Sequence, residues 1–162
     1  MRKLGGMLVV AAAVAALIPQ ASRAQVAVPA PSAQGADSSI RAAQAQMRSA
    51  AERLDATALY AWVLDTETPP IIENGSLAVT RAAALARTAQ GFQGVMSLRY
   101  AYTREQITML SPTAALWVAE GTSTAMLADG RRVDNTFAET VVFVLRDGRW
   151  MVLHAHRSTP NR

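Results

Sequence analysis

Cysteine is missing from this chain altogether, and with it go a thiol nucleophile, a disulfide, a lipid-modified N-terminal cysteine and any thiolate metal site. Lysine is nearly as scarce. Lys3 is the only one, so a chain without its first residues has no amine for a Schiff base and no phosphate-loop lysine. Neither G-x-S-x-G nor G-x-G-x-x-G occurs, which removes the nucleophile elbow and the dinucleotide fingerprint. Apart from one run at the start, no segment is apolar for long enough to cross a bilayer.

That first run reads as an export signal. Arg2 and Lys3 make a short positive start, residues 4–18 are apolar, and Ser22-Arg23-Ala24 places small residues before a cut at Gln25. A spanning helix needs about 20 apolar residues, and this run is shorter and meets Pro19. The expectation is a signal peptide at 1–24 and an exported protein, periplasmic or secreted, with no membrane attachment after cleavage. Removing Arg2, Lys3 and Arg23 from 16 basic residues leaves 13 against 12 acidic ones, a net charge of about +1. The high isoelectric point therefore reflects arginine content rather than a basic patch, and nucleic acid is excluded as a partner.

Residues 25–36 are Ala, Pro, Ser, Gln and Gly with two valines, Val26 and Val28, and no hydrophobic period, as in a flexible linker. One domain, 37–162, is expected to follow. Asp37, Ser38 and Ser39 offer an N-cap, and Ile40, Ala43, Met47, Ala50 and Leu54 recur at helical spacing. Asp55 caps a second, shorter helix through Leu59, Tyr60 and Trp62, which Pro69-Pro70 stops. Asn74-Gly75 is a turn; the glycosylation triplet Asn74-Gly75-Ser76 coincides with it. Residues 79–90 form a third helix ending at Gly91. Strand character then takes over at 97–110, 113–127, 131–146 and 149–158, punctuated by Ser111-Pro112, Ala128-Asp129-Gly130 and Arg146-Asp147-Gly148.

Both x-Asp-Gly triplets suit three-residue hairpin loops, and that choice sets a register. Leu127 pairs with Arg131 and Leu145 with Arg149, so Trp117 stands beside Val141 and Val141 beside Leu153. One face then carries Trp117, Gly121, Phe137, Glu139, Val141, Met151, Leu153, Ala155 and Arg157. The other carries Leu116, Val118, Glu120, Val142, Val144, Trp150, Val152, His154 and His156. Both are too apolar for solvent: the helices cover the first, and a second copy of the chain is the economical cover for the other.

Three helices followed by a long meander, ending in Asp147-Gly148-Arg149-Trp150 and His154-Ala155-His156-Arg157-Ser158, resemble the nuclear transport factor 2-like superfamily. The pattern D-G-x-W-x-x-x-H-x-H-R-S is similar to SnoaL-like bacterial domains and to the association domain of calcium/calmodulin-dependent protein kinase II. From about residue 99 to 158 the chain can be laid on that association domain without a gap. The resemblance implies an α+β, cone-shaped, cystatin-like fold, with three N-terminal helices packed on a curved antiparallel sheet. It also implies a pocket on the concave face and dimerisation through the convex one. In the association domain several arginines converge on a carboxylate; Arg157 matches one of them, whereas Gly121 and Val141 stand at two others. The superfamily spans isomerases, cyclases, hydrolases, transport factors and assembly domains, so fold alone does not select a function.

Glu139 and Arg157 fall on one face of neighbouring strands, about one diagonal step apart. They are either a structural ion pair or a general base beside an arginine that orients a ligand. The small residues Ala119, Gly121, Ser123 and Ala155 leave space around them. Tyr100 and Tyr102 join that face if Ser111-Pro112 is a tight link, with Tyr102 across from Gly121. The expected ligand-binding set is thus Arg157, Glu139, Trp117, Tyr102, Tyr100 and Phe137, with Glu139 or Glu73 as the carboxylate of any catalysis. His154 and His156 share a face with Glu120, but at strand spacing Glu120 is about 10 Å away, so no metal and no cofactor are expected. The leading expectation is a homodimeric module holding a small, largely apolar molecule. A general-base enzyme of isomerase or hydrolase type, and an assembly domain with a vestigial pocket, stand behind it.

Overall fold

The structure is a computed structural model that describes residues 33–66 and 70–160. The expected export signal and the linker as far as residue 32 lie outside the described residues. Helix α1 (Ala33–Glu52) is followed by α2 (Ala56–Tyr60), the hairpin β1 (Ile71–Glu73) and β2 (Ser76–Ala78), and α3 (Arg81–Gly91). Four long strands complete the chain: β3 (Val95–Ser111), β4 (Ala114–Leu127), β5 (Arg132–Arg146) and β6 (Arg149–Ser158).

Helix α1 is already formed at Ala33, ahead of the expected start near Asp37. Asp37 does not cap it but sits within its turns, 2.8 Å from Arg41 one turn on. Ala36, Ile40 and Ala43 bury the inward stripe, and the left-handed φ of 60° at Leu54 ends the run. Asp55 caps α2 by accepting from the Ala58 amide, and Thr80 caps α3 in the same manner through Ala83.

The six strands make one curved sheet in the order β2-β1-β6-β5-β4-β3. It is antiparallel except where β1 lies parallel beside β6, a strand pair that the sequence reading left out. The β4–β5 loop holds the expected register, with the Leu127 amide donating to Arg131 O and Trp117 opposite Val141. The β5–β6 loop does not. Asp147 (φ 50°) and Gly148 (φ 75°) both take the left-handed conformation, which makes a two-residue turn closing on Arg146 and Arg149.

That one-residue difference turns Trp150 and Val152 inward, where they are 3% and 0% exposed, instead of onto the outer face as expected. Met151 and Leu153 are correspondingly not inner residues. An irregularity at Leu153 then restores the phase, so His154 pairs with Val142, Ala155 with Val141 and Arg157 with Glu139. On the other side of the sheet β3 carries shifts around Thr103 and Leu110 and still brings Tyr102 opposite Gly121.

The three helices pack on the inner face alone. Ala36, Ile40 and Tyr60 share one buried cluster with Trp117, Phe143 and Val152. Leu116, Val118 and Val142 on the outer face remain partly exposed. The core sits at the closed end of the cone, and toward the other end helices and sheet diverge.

Candidate functional site

Where they diverge they enclose a cavity of about 540 Å³, within the range of ordinary small-molecule sites. Strands β3 to β6 supply one wall, which β1 continues beside β6, and α1, α2 and α3 supply the other. Tyr100, Tyr102, Phe137, Glu139, Arg157 and Glu73 all line it. Trp117 does not: it lies fully buried beneath, with its ring 5.4 Å from that of Tyr102. Its indole Nε1 has no hydrogen-bond acceptor among the described residues, a buried donor left without a partner there.

The sheet wall is a connected polar chain set among rings. Glu139 and Arg157 are directly opposite each other across β5 and β6, not a diagonal step apart, and Arg157 Nε donates to Glu139 Oε2 at 2.9 Å. The Tyr102 hydroxyl donates to Glu139 Oε1 at 2.9 Å, so each carboxylate oxygen already accepts a hydrogen bond. Arg157 Nη1 donates to the Tyr100 hydroxyl oxygen at 3.0 Å. The guanidinium also lies 4.4 Å from the Phe137 ring centre and 4.8 Å from that of Tyr100.

Burial, reinforced by the negative Glu139, pushes the Tyr102 phenol well above its ordinary range, so it stays protonated as a donor. For Arg157, burial works against the charge, and Glu139 with Tyr100 outweighs it; the guanidinium is held above its ordinary value. Arg157 Nε and the Tyr102 hydroxyl thus donate to Glu139, and Tyr100 accepts from Arg157 Nη1. Among the described residues the Tyr100 proton has no acceptor, which leaves an O–H free to donate into the cavity.

Gly121 makes this wall possible. A Cβ there would collide with the Ala101 carbonyl oxygen and press on the Phe137 ring and Tyr102 Cα, so only glycine lets β3 and β5 bring their rings together across β4. Tyr102 and Phe137 meet edge to face at 5.5 Å.

The helical wall contributes residues that sequence reasoning missed. Gln44 and Arg48 of α1 line the cavity, as do Tyr60 of α2 and Arg87 of α3. The available signal was the position of Gln44, one turn after Ile40 on the inward side of the helix, where a polar side chain is unusual. Glu73 lines the cavity from β1, beside Arg157, and its carboxylate makes no hydrogen bond or ion pair to a described residue. Among the described residues no group of three His, Asp or Glu side chains is arranged to hold a metal. His154 pairs with Val142 and His156 with Thr140, and both point to the outer face.

With this geometry in view, the sequence matches the SnoaL-like domain family over residues 40–162. The chain belongs to that family. It shares the fold of the nuclear transport factor 2-like superfamily, as solved structures confirm. A superfamily protein from Salmonella enterica serovar Typhimurium superposes with a TM-score of 0.73 at 14% identity, covering 81% of this chain and 95% of its own. A candidate calcium/calmodulin-dependent protein kinase II association domain from Xanthomonas campestris gives 0.64 at 14% identity, covering 84% and 94%. A ketosteroid isomerase-like protein from Erwinia carotovora gives 0.64 at 19% identity, covering 77% and 96%. No curated protein matches the sequence. At these identities the SnoaL-like likeness establishes the cone and not a reaction.

Proposed function

We propose that this SnoaL-like domain binds a small, largely apolar molecule in its cone and receives the molecule's carbonyl or hydroxyl oxygen on Tyr100. The free Tyr100 O–H carries this reading. It is a hydroxyl of the sheet network whose proton has no acceptor among the described residues, it is polarised by Arg157 behind it, and it borders a cavity otherwise walled by side chains such as Phe137, Val141, Leu59 and Met47. Glu139 serves here to fix Arg157 and Tyr102, each of which donates to one of its oxygens. The test is a thermal-shift screen of small carboxylates, ketones and sterol-like compounds. A ligand at a hundredfold excess over its dissociation constant stabilises by about 2.7 kcal/mol, and Tyr100→Phe should reduce that gain. A parent protein that none of the compounds stabilises removes the reading and favours an assembly domain with a vestigial pocket.

One observation favours a second reading, an enzyme of isomerase or hydrolase type. Glu73 is a cavity carboxylate without a hydrogen-bonding partner among the described residues, and so is free to act as a general base toward a substrate held by Tyr100. Proton exchange at the carbon next to a bound ketone, followed by NMR in deuterated buffer, tests it. Exchange in the parent that disappears in Glu73→Gln supports catalysis, and exchange no faster than in buffer alone rules it out.

We propose further that the outer sheet face pairs two copies, since Leu116, Val118 and Val142 stay outside the core cluster with no helix over them. Light scattering that finds a monomer at micromolar concentration removes this. Export remains a proposal from residues 1–24, and an intact Met1 in protein taken from its native envelope would contradict it.

A further inference from the structure

Gln44 and Arg48 stand one turn apart on α1 and both line the cavity. Gln44 is 8% exposed, and its amide makes no hydrogen bond to any described residue. Its amide opens onto the cavity rather than being sealed in the core, and so can meet a ligand's polar group there. Arg48 places its guanidinium 5.8 Å from the Tyr102 ring centre and has no carboxylate partner among the described residues. The nearest acid on its own helix face, Glu52, is already occupied by the Tyr100 amide at 2.9 Å and by Arg99 at 3.9 Å.

The charges around the cavity are unequal. Arg157 and Glu139 cancel, and what remains is Arg48 and Arg87 against Glu73. Arg87 donates to the Ser76 and Leu77 carbonyls and so braces β2. Arg48 is therefore the cavity cation with the most unspent bonding capacity, next to an amide that can both donate and accept.

We infer that the ligand carries a carboxylate, received by Arg48 with Gln44 beside it, and that Arg157 is not its receptor. The site so defined takes an amphipathic organic acid: an apolar body between the aromatic and aliphatic walls, a carboxylate on α1, and any carbonyl or hydroxyl oxygen on Tyr100. Arg157 would have to give up Glu139 to bind an anion, whereas Arg48 gives up only water. This inference rests on the small-molecule reading above and narrows its ligand class.

The experiment compares 4-phenylbutanoate with its neutral amide by isothermal titration at pH 7 and low salt, on the parent, Arg48→Gln and Gln44→Leu. The parent should bind the acid about tenfold more tightly than the amide. Arg48→Gln should erase that preference while leaving the amide's affinity within about twofold, and Gln44→Leu should weaken the acid several-fold. Circular dichroism checks that the variants are folded, and the retained amide affinity reports an intact cavity. Equal binding of acid and amide by the parent, or a preference that survives Arg48→Gln, overturns the inference while the small-molecule reading stands. If neither probe binds but a neutral ketone from the wider screen does, the carboxylate is wrong and the cavity is right. If nothing binds, both fall.

Discussion

The two walls of the cavity use polar groups in opposite ways. On the sheet wall Tyr102, Glu139, Arg157 and Tyr100 satisfy one another in a chain of bonds between 2.9 and 3.0 Å, held by register across three strands. On the helical wall the Gln44 and Arg48 side chains have no such partners among the described residues, and neither has the Glu73 carboxylate at the sheet's β1 edge. The first arrangement is bought with strand pairing and belongs to stability. The second is left to solvent in the empty protein, where a ligand can take the place of water. Substitutions on the sheet wall should therefore be felt in unfolding, and substitutions on the helical wall in binding.

The sharpest way to break this contrast is to cut the sheet network on one side. Glu139→Leu leaves Arg157 charged and mostly buried, and should cost about 3 to 5 kcal/mol in urea unfolding. The double variant Glu139→Leu, Arg157→Met should be close to neutral, because both charges leave together. A single variant as stable as the parent would mean that the pair is solvated and the wall is not the stabilising one.

A smaller loss is expected from crowding the same wall. Gly121→Val should cost about 1 to 3 kcal/mol, seen as a lower melting temperature, since its Cβ meets the Ala101 carbonyl and the Phe137 ring. An unchanged melting temperature would mean that the rings do not need their close approach.

Alkaline pH probes the network more gently. The folded-state value of Tyr102 is raised above the ordinary 10.0, chiefly by burial. The sign follows: the stabilisation is complete below pH 10 and declines as pH rises beyond it, by up to about 1.4 kcal/mol per pH unit for one proton. Tyr60 shifts in the same direction, also through burial, so Tyr102→Phe should flatten the decline without abolishing it. A parent whose stability is level to pH 11 would contradict this.

The smallest effect on unfolding belongs to the helical wall. Arg48→Gln should change stability by no more than about 0.5 kcal/mol, as for a partly exposed residue without a structural partner. A larger loss would give Arg48 a structural role and blur the contrast.

How much of this was legible beforehand depended on local chemistry. The β4–β5 register and the inward set Gly121, Phe137, Glu139 followed from Ala128-Asp129-Gly130, and the fold followed from helix and strand order with the final D-G-x-W motif. The second Asp-Gly looks the same in sequence but makes a shorter turn, because Asp147 itself adopts positive φ. Nothing in the tripeptide announces that. The resulting slip moved Trp150 and Val152 to the other face, while the irregularity at Leu153 returned Arg157 to the site, so the site survived an error in the strand leading to it. Trp117 was placed on the right face but at the wrong depth: alternation gives direction, and the closeness of Tyr102 decides what reaches the cavity. Gln44 and Arg48 were missed because an alanine-rich helix offers a broad inward stripe, and which of its polar residues face a void depends on how far the sheet curves away.

The central claim, that the cavity is a ligand chamber, is tested most directly by filling it. Ala155 lines it from β6 between Val141 and β1, and Ala155→Trp should place an indole in the space. Isothermal titration of the tightest binder from the screen into parent and variant is the measurement. The account predicts binding in the parent that falls at least about tenfold in a variant with an unchanged circular dichroism spectrum. Equal affinity in the two proteins would place the compound elsewhere and contradict it.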